Sequence, residues 1–114
     1  MEELFKLFDE IGLPYFKQGS LSDEEYPASF FTFWNIDSPN DSFYDNKETR
    51  NIEYIQVGFY TNDANLQYSK MADFINRAKQ KKFIIRGRDR DANADKKGYV
   101  GRMVYIRKIN KLEV

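Results

Sequence analysis

Residues 50 to 61 alternate along their whole length. Glu53, Ile55, Val57 and Phe59 fall on one side, and Ile52, Tyr54, Gln56, Gly58 and Tyr60 on the other. A period of two over so long a run is strand periodicity, so the fold must provide a sheet in which this strand pairs.

The flanking segments supply the rest of the fold. Leu4, Phe5, Leu7, Phe8 and Ile11 recur at spacings of three and four, with Gly12 as a stop and Pro14 beyond, which predicts an amphipathic helix from Glu2 to Ile11. Tyr15 to Gln18 can pair as a short strand, and Gly19-Ser20 with Ser22-Asp23-Glu24-Glu25 makes a polar connection. Pro27 introduces Ser29 to Ile36, whose aromatics at both parities predict a central strand covered on both sides, with Trp34 in the core beside Phe59. Asp37 to Lys47 is dense in Asp, Asn, Ser and Pro and reads as a long loop carrying Phe43 and Tyr44.

Past the long strand, Asn62-Asp63-Ala64-Asn65 offers caps for a second helix. Its stripe is Tyr68, Met71, Ala72, Ile75 and Ala78 with Phe74 beside it, and Lys79, Lys81 and Lys82 complement its C-terminal dipole. Phe83-Ile84-Ile85 starts a further strand, Arg86 to Gly98 reads as a charged connection, and Tyr99 to Ile109 alternates apolar and basic residues as a last strand. The order α-(β)-β-β-α-β-β predicts an α+β fold, a mainly antiparallel sheet with two helices packed on one face, as a single domain over residues 1–114.

Function is narrowed first by what the chain lacks. With no His and no Cys among 114 residues, the usual general base, the usual triad partner and the commonest metal ligands are missing, so neither catalysis nor a cofactor is expected. The acidic start and the lack of a long apolar run predict an intracellular product without a membrane span. Asp89-Arg90-Asp91-Ala92-Asn93-Ala94-Asp95 has the spacing of the first ligands of a calcium loop. Ala94 stands where the turn needs Gly, Val100 where a bidentate Glu belongs, and the surrounding arginines and lysines repel a cation, so a polar hairpin loop is the better reading. Gly87 and Gly98-Tyr-Val-Gly101 form no phosphate cradle.

Charge is the informative property. The chain is neutral overall, yet residues 1–57 hold 4 Lys/Arg against 12 Asp/Glu, a net of −8, and the remainder holds 14 against 6, a net of +8. Basic residues interleaved with Tyr99 and Tyr105 would suit a small monomeric module binding nucleic acid or a host protein. Complementary acidic and basic faces equally suit head-to-tail association of copies, and such contacts close into rings. Two loops are expected to reach neighbours: Asp37, Asp41, Phe43, Tyr44 and Asp45 in the first, and Arg88, Arg90, Lys96 and Lys97, with Arg86 before them, at the second.

The arrangement resembles the tail-terminator, or tail-completion, proteins of long-tailed bacteriophages with non-contractile tails. It rests on an opening helix, a Pro-preceded aromatic strand like Tyr26-Pro27-Ala-Ser-Phe-Phe-Thr-Phe-Trp34, and a long strand like Tyr54-Ile-Gln-Val-Gly-Phe-Tyr60. A polar break like Thr61-Asn-Asp-Ala64, a helix and a closing strand pair with a variable loop follow. The resemblance implies a ring, often hexameric, at the head-proximal end of the tail tube. It would join the tube protein to the head-side connector in the virion, with DNA only as passing cargo and no enzyme activity or cofactor.

Overall fold

A computed structural model describes residues 2–21, 26–36 and 50–111. The chain is an α+β fold: α1 (Glu2–Ile11), β1 (Tyr15–Lys17), β2 (Ser29–Ile36), β3 (Arg50–Thr61), α2 (Leu66–Gln80), β4 (Ile84–Ala92) and β5 (Val100–Lys111). The five strands form one sheet in the order β1-β2-β3-β5-β4. Every pairing is antiparallel except β1 with β2, which run parallel with Tyr15 opposite Phe31. The long alternating strand is the middle of the sheet, and β2 lies between it and the short edge strand β1.

Both helices pack on one face. Leu4, Leu7 and Phe8 of α1 and Met71, Phe74 and Ala78 of α2 are fully buried against Phe31, Ile55, Val57, Phe59, Val104 and Ile106 of the sheet. Phe8 is the hub of this layer, with ring centroids 5.0 Å from Phe31, 5.0 Å from Tyr15 and 5.6 Å from Phe74. Stacked and tilted rings at these separations add to the area that they bury.

The helix ends show how local sequence sets the layer. Gly12, at φ +86°, ends α1 and donates its N–H to the Phe8 carbonyl at 3.0 Å. Asn65 occupies the start of α2 without a side-chain cap. The capping work falls instead to Asp63, whose Oδ1 accepts from the Asn65 N–H at 3.0 Å, and to the buried Thr61, whose Oγ1 accepts from the Asp63 N–H at 3.0 Å. Thr61 and Ser29 also share a hydroxyl hydrogen bond of 2.8 Å, which ties the turn to β2. At the other end, Phe83 donates to the Ala78 carbonyl and Lys82 to the Lys79 carbonyl, a Schellman closure in which Lys82 takes the left-handed position at φ +69°.

Three expectations are corrected. The stripe of α2 is centred on Met71, Phe74 and Ala78, while Tyr68 and Ala72 are exposed, because Tyr68 turns towards Arg102 at the helix edge. The segment from Arg86 to Ala92 is strand rather than connection, so only residues 93–99 link β4 to β5. Trp34 is 45% exposed and outside the core, because its parity places it on the side of the sheet without helices and near the end of β2.

Candidate docking surface

The register of the sheet sorts residues strictly by face. Ile55 pairs with Ile106, Val57 with Val104 and Phe59 with Phe31 on the helix side, so their neighbours in sequence point the other way. The opposite face is carpeted by Phe30, Thr32 and Trp34 of β2, Tyr54, Gln56 and Tyr60 of β3, Met103, Tyr105 and Arg107 of β5, and Arg86 and Arg90 of β4. No described helix lies over it.

At one end this face is closed by aromatic packing. Phe30 stacks on Tyr60 at 5.7 Å, Tyr26 meets Phe30 edge-on at 5.5 Å, and the Tyr99 hydroxyl donates to the Pro27 carbonyl at 2.7 Å. Tyr60 can recline across the strands only because Gly101 lies beneath it. A methyl group at Gly101 would sit 2.6 Å from the Tyr60 ring and 2.9 Å from the Ala92 carbonyl oxygen. Burial pushes the Tyr60 phenol above its ordinary pKa, helped by the nearby Asp95. A cleft of about 140 Å³, lined by Lys17, Tyr26, Thr32, Tyr60, Asp95 and Tyr99, opens beside these rings.

Over the other end no described helix packs. Arg86 lies over the Tyr54 ring at 4.8 Å and Arg90 over Tyr105 at 5.9 Å, and both arginines stay exposed. Ile36, Arg86, Gly87 and Tyr105 border a shallow hollow. Arg107 Nε is buried and has no hydrogen-bond partner among the described residues.

Charge is sorted by the same parity. The described strands carry three carboxylates, Glu53, Asp89 and Asp91, and all three face the helix side. Arg102 Nε donates to Asp89 at 2.7 Å and its Nη1 to Asp91 at 2.7 Å, with the guanidinium 4.6 Å over the Tyr68 ring. Gln67 Nε2 fixes the same corner by donating to the Gly101 carbonyl at 2.7 Å. Asp89 and Asp91 of the calcium-like spacing are therefore neutralised by an arginine within a strand, in place of the expected polar hairpin loop, while Asp95 lies in the 93–99 connection near Tyr60. Among the described residues no three His, Cys, Asp or Glu side chains gather as a metal site.

Of the residues expected at an interface, Arg86 and Arg90 come together on the open face, and Arg88 is exposed in the irregular stretch between them. Lys96 lies 5.4 Å over the Tyr26 ring and Lys97 is exposed, both in the 93–99 connection. Asp37, Asp41, Phe43, Tyr44 and Asp45 lie outside the described residues. Trp34 and Tyr54 were not among the expected interface residues; both lie on the face of the arginines, Tyr54 beneath Arg86. The even parity of Tyr54 in the alternating strand was the available signal. No helix is long and apolar enough to cross a membrane. No family model matches the chain, and no curated protein matches it in sequence.

Proposed function

We propose that this chain is a structural subunit of a bacteriophage tail, forming a ring at the head-proximal end of the tail tube and joining it to the head-side connector. The observation that carries the reading is the sheet face that no described helix covers, on which aromatic rings and arginines stand together without a carboxylate among the described strand residues. Such a face fits a subunit whose role is contact. Aromatic and arginine side chains dominate the energetics of protein interfaces, and a patch of one sign selects a partner of the other. The element order also follows the arrangement on which the resemblance to tail terminators rests. In this reading the chain is no enzyme and needs no cofactor. Its partners are its own copies, the tube protein and the connector, its place is the virion, DNA is passing cargo, and no membrane is involved.

Electron microscopy of phage particles carrying an affinity-labelled copy tests the role: label is expected at the junction of tail and head. Label along the tube, or none on the virion, contradicts it. The arginines held over Tyr54 and Tyr105 on the face that also exposes Trp34 favour a second reading too, a monomeric module for single-stranded nucleic acid. Tight oligonucleotide binding at physiological salt by protein that never joins a virion would select that reading.

A further inference from the structure

We propose that the open sheet face of one copy seats the outer surface of α1 from the next copy, so that each subunit offers one surface of each kind; the proposal deepens the ring reading and rests on it. Charge complementarity names the occupant. The open face holds Arg86, Arg90 and Arg107 and no carboxylate from the described strands, so it is basic. Helix α1 carries Glu2, Glu3, Asp9 and Glu10 against Lys6, a net of −3.

Within α1 the four acids are not equivalent. Glu3 accepts from Lys108 at 2.5 Å and Glu10 from Lys81 at 2.7 Å, pairs that tie the helix to its own sheet and to the end of α2. Glu2 and Asp9 are exposed and make no ion pair with these lysines. They stand seven residues apart, two turns of one helix, or about 10.5 Å along its axis. Arg86 and Arg90 face Tyr105 and Met103, positions two residues apart on β5 and about 7 Å along the strand. Long arginine side chains span that difference, and Trp34, exposed on the same face across β3 and β5, supplies an apolar anchor that the helix would cover.

The two surfaces lie on opposite sides of the sheet, so one chain cannot satisfy the contact within itself. The contact is heterologous, and repeating it propagates copies into a closed ring or an open array.

Reciprocal charge reversal tests this. Two variants are made, Arg86→Glu with Arg90→Glu, and Glu2→Lys with Asp9→Lys, and circular dichroism melts establish that each folds. In sedimentation at low salt, each variant alone is expected to associate at least about tenfold more weakly than wild type, because like charges then oppose each other. An equimolar mixture is expected to regain association, since the reversed face of one matches the reversed helix of the other. A mixture that stays dissociated while wild type associates overturns the proposal, as does wild type that remains monomeric at every concentration. Loss of single-stranded oligonucleotide binding in the Arg86/Arg90 variant, without any effect on association, also overturns it and assigns the face to nucleic acid. If either variant still reaches the tail–head junction in labelled particles, the failure is of this contact and not of the ring reading.

Discussion

Arg86 lies over the ring of Tyr54, its guanidinium carbon 4.8 Å from the ring centroid, two strands away across the face that no described helix covers. The pair gives the edge strand a fixed cation on the same face that exposes Trp34, the only tryptophan of the chain.

Reversal of Arg86, Arg88 and Arg90 together should therefore separate contact from folding. All three are exposed, so unfolding in urea should change by less than about 1 kcal/mol. On the proposed tail role, complementation of a phage lacking this chain should then fail. Normal joining of tails to heads by the triple variant would show that β4 is not a contact strand.

Core and surface aromatics should behave in opposite ways. Phe8→Ala removes the hub of a buried ring cluster and should cost about 3 to 5 kcal/mol, a large share of the stability of a domain this size. Trp34→Ala removes a side chain that is nearly half exposed and should cost about 1 kcal/mol or less in the isolated chain. Urea melts of the two variants compare them directly.

Lys82 occupies a left-handed position that favours glycine. Lys82→Gly should stabilise the chain by about 0.5 to 1 kcal/mol, read as a higher urea midpoint, provided that the exposed lysine makes no compensating contact. Gly101→Ala should do the reverse. The added methyl must displace the Tyr60 ring and press on the Ala92 carbonyl, at a cost of about 1 to 3 kcal/mol.

Acid should loosen α1 before the sheet. The hydrogen bond from Lys108 holds Glu3 below the usual glutamate range against the opposing effect of desolvation, and the hydrogen bond from Lys81 does the same for Glu10. A carboxylate whose folded pKa is lowered contributes its full stabilisation above the unfolded value, about 4.3 for Glu, and loses it as pH falls through the folded value. Melting temperature should thus fall as pH drops below about 4.3. Lys108→Met should flatten part of that slope, and an unchanged slope would mean that the Glu3 pair contributes nothing.

What the sequence made legible was set by hydrophobic period. The limits of β2 and β3, the opening helix and the order of elements along the chain could be read because apolar residues alternate or recur there at a single period. β4 was hidden because Arg86-Gly-Arg-Asp-Arg-Asp91 is polar on both faces. The pattern makes sense only once Arg102 answers the aspartates on one side and Tyr54 and Tyr105 receive the arginines on the other. Trp34 was misplaced for a related reason: parity assigns a side of the sheet, but only tertiary structure tells which side the helices cover. The open face was therefore half visible, as a basic run without its aromatic partners.

Trp34 offers the most direct test, since its emission reports on the open face alone. Fluorescence of the wild-type chain, followed across protein concentration at low salt, should shift to the blue as copies associate and bury the indole, and should return to the red on adding salt. Association detected by light scattering with no change in Trp34 emission, or an emission that moves only when single-stranded oligonucleotide is added, would contradict a self-contact through this face.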